Sequence, residues 1–220
     1  MKRLFTQGAA AALALLMAAC GGGSDRPAGV GGDRKLATTL GYTDPTGTGW
    51  RLVRQEASTD KRIVLGLVGP NDTTSRGVGF NLGLGRGVHF GTFADGAYAH
   101  DTGIFKLKGS NPDFEPYAGT DADPVLFASR LKGDKLLTTG VFQKDRTHGA
   151  KLLDKPVVQV VVELDEATSL QQGTKVAIAV VKARSIPDDI GGRNFQVDLE
   201  TLEKAKMVDI PIQVGTLTAQ

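Results

Sequence analysis

Val157-Val158-Gln159-Val160-Val161-Val162-Glu163-Leu164 is the most regular segment of this 220-residue chain. Apolar residues recur at every second position from Val158 to Leu164, and the polar residues Gln159 and Glu163 both fall on the opposite side. Alternation with a period of two, combined with β-branched side chains, is typical of a half-buried β-strand. The segment therefore predicts a strand that turns one apolar face toward a core.

Similar alternation on both sides of this segment predicts a chain built mainly of strands. Lys175–Lys182 has branched apolar residues on one side and small alanines on the other, and the polar connection Asp165–Gly173 would let it pair with the valine-rich strand. Pro211 lacks an amide hydrogen, so a strand that contains it is expected at a sheet edge. Further strands are predicted at Trp50–Glu56, Arg62–Val68, Leu126–Leu131, Leu136–Gln143 and Ile210–Val214.

A second unusual segment, Gly77–Gly91, carries large apolar residues at most even positions and glycine at most odd positions. Glycine loses more backbone entropy on folding than other residues, so a bare face is expected only where something comes close to it. One interpretation is a bend near Gly85–Gly87 that divides two strands, or a loop that packs over the bare face. The other is a flat surface that a partner backbone or a sugar ring approaches.

Helical periodicity is confined to Leu199–Met207, and so short a helix is marginal on its own. Many short strands, separated by turn signals such as Asp95-Gly96 and Gly133-Asp134, indicate an all-β fold. We therefore expect an antiparallel β-sandwich of the immunoglobulin-like or jelly-roll type with at most one short helix. No internal repeat is evident, so residues 36–220 are expected to form a single domain.

The amino-terminal segment has the parts of a secretory signal peptide. Lys2 and Arg3 precede the apolar run Ala9–Ala19, which is shorter than the roughly 18 to 20 residues that span a bilayer. Residues 1–19 are therefore predicted to be cleaved. Residues 20–35 are rich in glycine, contain Pro27 and lack an apolar period, so we expect them to form a flexible tether.

Met17-Ala18-Ala19-Cys20 resembles the lipobox of bacterial lipoproteins. The resemblance implies that the thiol of Cys20 is the lipid attachment site and that the peptide before it is removed. It also implies an outer-membrane location, because Gly21 stands where an aspartate marks inner-membrane retention in enteric bacteria. The alternative is an ordinary signal peptide with a cysteine near its end by chance.

Charge and cysteine content restrict the partners of the mature chain. Removal of Lys2 and Arg3 lowers the 26 basic residues to 24, which equals the 24 acidic residues. A net-neutral chain gives no indication of nucleic-acid binding. Cys20 is the only cysteine, so no disulfide can form within the chain.

The search for catalytic or metal-binding motifs finds no site, and the chain is not expected to be an enzyme or to carry a cofactor. His89, His100 and His148 lack metal-ligand spacing, and no Gly-x-Ser-x-Gly motif is present. Two acidic loop clusters could supply calcium ligands, or the paired carboxylates of a glycosidase, and the favoured alternative is that they form turns. These clusters are Asp121 with Asp123, and Asp188 with Asp189.

Three aromatic residues are of the kind that a sugar-binding platform uses. They are Trp50, Tyr98 and Tyr117, and the last two fall in predicted loops. The alternative is that most aromatic side chains belong to the core.

The order of five strand patterns over residues 76–165 resembles that of cohesin-like and related jelly-roll modules. The patterns are Gly77–Leu84, Gly103–Leu107, Val125–Leu131, Gly133–Phe142 and Val157–Leu164. In those modules one sheet face docks a protein partner, and a relative binds carbohydrate. The resemblance implies a sandwich fold and, by analogy only, a binding role.

Together these features predict a lipid-anchored cell-envelope protein that acts as a binding or assembly module for a protein partner. Carbohydrate binding, action on an envelope polysaccharide and a structural role in a surface or secretion apparatus are the alternatives.

Overall fold

β-Strands form almost all of the regular structure in the computed structural model, which describes residues 35–71, 73–106, 125–143, 149–186 and 207–220. Within these ranges the one helical element is the 3-10 turn Ile104–Lys106, and no helix is long and apolar enough to cross a membrane. The predicted helix Leu199–Met207 lies outside the described residues except for Met207. The strands are β1 (Leu40–Thr43), β2 (Arg51–Arg54), β3 (Arg62–Val68), β4 (Thr74–Ser75), β5 (Gly77–Leu84), β6 (Val88–Gly91), β7 (Ala99–Asp101), β8 (Val125–Lys132), β9 (Leu136–Gln143), β10 (Ala150–Lys151), β11 (Pro156–Leu164), β12 (Lys175–Val176), β13 (Ile178–Ile186), β14 (Val208–Asp209) and β15 (Thr216–Ala219).

Two five-stranded antiparallel sheets dominate the topology. The first sheet has the order β2-β3-β11-β6, and β7 pairs with β11 beside β6. The second sheet has the order β14-β13-β5-β9-β8. A three-stranded sheet, β1-β15-β12, and a two-stranded pair, β10-β4, complete the described pairings.

The core lies between the inner faces of the two large sheets. Side chains of the first sheet pack in one apolar cluster with side chains of the second sheet. Val158, Val160 and Val162 of β11 have no exposed surface, and neither do Phe80 and Leu82 of β5. This arrangement confirms the predicted all-β antiparallel sandwich.

Strong alternation located the strands well. β3 and β9 have the predicted bounds; β11 begins one residue earlier than predicted, and β8 is one residue longer at each end. β2 is shorter than the predicted Trp50–Glu56, since Trp50, Gln55 and Glu56 lie outside it.

Four details of the predicted strands were wrong. β11 and β13 lie in different sheets rather than side by side, and Lys175–Lys182 is divided at Ala177 into β12 and the start of β13. Ile210–Val214 is not a strand; it lies between β14 and β15 and joins the first sheet only through a bridge from Gln213 to Arg51. Gly103–Leu107 contains the 3-10 turn instead of a strand.

Gly77–Gly91 is divided by a turn at Gly85–Gly87, as one interpretation of the sequence predicted. Gly87 has φ +81°, a backbone conformation that residues with a Cβ rarely adopt. The turn carries the chain from the second sheet to the first, because β5 pairs with β9 and β13 whereas β6 pairs with β11.

A buried tyrosine joins the two ends of the described domain. The hydroxyl of Tyr42 in β1 donates a hydrogen bond to the carbonyl of Leu52 at 3.0 Å and accepts one from the amide of Gly215 at 2.7 Å. Burial raises the pKa of the Tyr42 side chain to about 12. The hydroxyl thus replaces ladder hydrogen bonds where β1, β2 and the segment before β15 meet.

Replacement of Tyr42 by phenylalanine is expected to lower the free energy of unfolding by about 1–3 kcal/mol, because the Gly215 amide and the Leu52 carbonyl lose a buried partner. Because the pKa is raised in the folded state, the unfolded state loses the proton first as pH rises. Stability should therefore fall between about pH 10 and pH 12, by about 3 kcal/mol at most. Urea unfolding across this range tests both effects; an equal alkaline loss in Tyr42→Phe would contradict the second.

Candidate functional site

Several residues singled out in the sequence lie outside the described residues. They are Cys20, Asp121, Asp123, Tyr117, His148, Asp188 and Asp189. The lipid site, both acidic clusters and one of the three histidines therefore stay predictions from sequence.

The two described aromatic candidates belong to the core instead of to a surface platform. Trp50 is 6% exposed and lies within the main apolar cluster. Tyr98 is half-buried and packs against the same cluster. Neither ring is presented on an open surface in the way that stacking on a sugar requires.

His89 lies on the outer face of the first sheet within a row of charged side chains. Its Nδ1 hydrogen-bonds Asp165 Oδ1 at 2.8 Å, and its Nε2 is 3.4 Å from Glu163 Oε2. Arg62 pairs with the same Glu163, and Lys135 Nζ is 3.8 Å from Asp165 Oδ2. The ion pairs Arg62–Glu163 and Lys135–Asp165 are thus joined through His89, whose two ring nitrogens face the two carboxylates, so the row is one connected network. No group of three or more metal-ligating side chains occurs among the described residues.

His100 lies on the same face and binds a different carboxylate. Its Nε2 is 3.0 Å and 2.9 Å from the two oxygens of Asp95, and its ring stacks on Phe93 with centroids 3.8 Å apart. The hydrogen bond from His100 is the main cause that holds the pKa of the Asp95 carboxyl below its usual value. The Arg62 guanidinium lies 5.9 Å from the centre of the Phe93 ring.

The outer face of the first sheet is therefore covered by its own side chains. Val64 and Val161 point outward in register with each other, yet they are 2% and 0% exposed. Phe93 contacts Arg62 and His100, which flank this row in the register. The outward positions here are therefore occupied by half-buried charged and aromatic side chains instead of bare backbone.

One end of the outer face of the second sheet is also closed, and an aromatic ring closes it. Phe142 of β9 is fully buried although it occupies an outward position opposite Gly77. A Cβ placed on Gly77 would lie 2.3 Å from Phe142 Cδ1, and one on Gly140 would lie 2.8 Å from Phe142 Cε2. The Phe142 ring therefore occupies the space that these glycines leave, which is a known way to cover bare glycine in a sheet.

The other end of this outer face is open, and we call it the open face. Within the part of the chain that the structure describes, a Cβ on Gly83 would have no neighbour closer than 3.7 Å. Arg130, Lys132 and Ala179 are exposed, whereas Asn81 and Lys182 are half-buried. They occupy outward positions of β5, β8 and β13, and Leu136 and Thr138 of β9 lie between β5 and β8. Gly83 is therefore flanked directly by Ala179 and Leu136, and the cationic side chains of β8 lie one strand farther out.

The charge of this sheet is one-sided. Strands β5, β8, β9 and β13 contain Arg130, Lys132, Lys182 and Arg184 but no aspartate or glutamate. The neighbouring Asp209 of β14 pairs with Arg184, with Nε to Oδ1 at 2.7 Å. These four strands therefore carry basic side chains and no acidic ones.

Sequence reasoning missed the open face. The lack of acidic residues in the predicted strands around Gly77–Gly91 was a readable signal. However, only the strand order shows that Arg130 and Lys182 lie on the same sheet as the glycine-lined strand, Lys182 on the neighbouring strand and Arg130 two strands away.

No protein-family model matches the sequence, and no curated protein matches it. Among solved structures, the chain is similar to the sixth cohesin of scaffoldin B from Acetivibrio cellulolyticus, which was solved in complex with a Cel5 dockerin. The two sequences are 11% identical, the match covers 78% of this chain and 96% of that chain, and the TM-score is 0.42. A cohesin module of a family 33 glycoside hydrolase from Clostridium perfringens has 9% identity, 80% and 98% coverage, and a TM-score of 0.35. A type III cohesin module of a cell-surface anchoring scaffoldin from Ruminococcus flavefaciens has 16% identity, 67% coverage of both chains, and a TM-score of 0.33. At such TM-scores the fold assignment rests on the sheet topology described above.

The two kinds of glycine on this sheet are expected to respond differently to substitution. Gly140→Ala should destabilise the domain by about 1–3 kcal/mol, because the new Cβ would meet the Phe142 ring, the Gly79 Cα at 3.0 Å and the Val78 carbonyl at 3.1 Å. Gly83→Ala should leave stability unchanged or raise it by about 0.5–1 kcal/mol, because space is available and the unfolded chain loses freedom. Denaturant midpoints measure both; equal losses would contradict the assignment of Gly83 to an open surface.

Proposed function

We propose that this protein is a lipid-anchored binding or assembly module of the cell envelope and that it binds an acidic protein partner on the open face. The observation that carries the proposal is the combination of a bare Gly83 floor with cationic side chains and no carboxylate on the four strands that form the face.

The geometry of the open face suits a macromolecule better than a small ligand. Small molecules bind in concave sites that enclose most of their surface, whereas this face is the outside of a sheet. A floor without a side chain lets a partner approach the backbone of β5 closely. Charges around such a floor orient a partner of opposite charge and speed its association.

Two observations favour a protein over a polysaccharide. Sugar platforms present exposed aromatic rings, but Phe142 is the only aromatic residue at an outward position of β5, β8, β9 and β13, and it is buried. The described residues also lack a cluster that could hold a metal ion, which many sugar-binding modules use.

The anchor and the location form the second half of the proposal. They rest on the lipobox resemblance at Cys20, on Gly21 after it and on the glycine-rich composition of residues 20–35. Two or more acyl chains on Cys20 would hold the protein firmly at a membrane, because one chain alone binds weakly. A tether of this composition would let the open face turn toward a partner in the outer membrane or its surroundings.

Reversal of charge on β8 is expected to abolish partner binding. The amount of a specific partner that the variant Arg130→Glu/Lys132→Glu captures from envelope extracts should be at least about tenfold lower than the amount captured by the wild type, because favourable charge pairs become repulsive. Quantitative mass spectrometry of the captured proteins gives the ratio.

The matched control is Lys151→Glu/Lys155→Glu, which reverses two exposed lysines at and after β10, away from the open face. It should capture the same protein as the wild type, and all three chains should have the same thermal midpoint. If the β8 variant captures the same proteins at the same level, the open face is not the binding site.

The anchor predicts a definite mass for the protein in bacterial membranes. The wild type should begin at Cys20 and carry the added mass of two or three acyl chains, whereas Cys20→Ser should lack that mass and leave the membrane fraction. Intact-mass spectrometry distinguishes the two species. A wild-type chain cleaved near this position but without lipid would refute the anchor and leave the open-face proposal standing.

A further inference from the structure

We draw no further inference here: the strongest candidate, the open cleft between the β13 edge and residues 210–212, carries nothing because nothing in the structure shows what occupies that edge.

Discussion

The structure depends on the burial of one face of two central strands. β11 is paired on both edges, by β3 on one side and by β6 and β7 on the other, and β5 is paired by β9 and β13. A strand with both edges paired can bury its apolar face only against the opposite sheet. Val160 and Phe80 are fully buried there, and side chains of this size each contribute about 1.5–3 kcal/mol when removed from water. The remaining strands complete the sheets that bring these two faces together.

Alternation along the sequence predicts which residues of a strand face inward, but not which sheet the strand joins. Arg62–Val68 and Leu136–Gln143 were predicted with correct bounds because their apolar positions are strong. The pairing of the valine-rich strand with Lys175–Lys182 was wrong, since the choice of sheet is made by the turn at Gly85–Gly87 and by long connections that leave no local pattern. Ile210–Val214 failed for a related reason, because its apolar residues serve a crossing between sheets and not a strand.

The bare face of Gly77–Gly91 has two causes, and the sequence could not separate them. Gly77 and Gly140 are small because the Phe142 ring lies over them. Gly83 is on the same strand as Gly77 and faces the same way, but no atom of the described residues closer than 3.7 Å requires it to be small. The difference depends on the register between β5 and β9, which places Phe142 opposite Gly77 and Leu136 opposite Gly83. Register is fixed by tertiary contacts, so the glycine pattern alone could not show which glycines are covered and which face an open surface.

The two outer faces of the sandwich differ in how they use their charged and aromatic side chains. On the first sheet, Glu163 lies between Arg62 and His89, and Phe93 stacks on His100, so the charges satisfy one another and the apolar row beneath them is buried. On the second sheet, Phe142 covers glycine at one end only, and at the other end the cations of β8 are separated from Gly83 by Leu136 and Thr138 of β9. β5, β8, β9 and β13 hold no carboxylate, and Val181 is exposed at the neighbouring edge, although a stable fold requires neither feature. Their proximity on one sheet is the observation on which the proposed role of this side of the molecule rests.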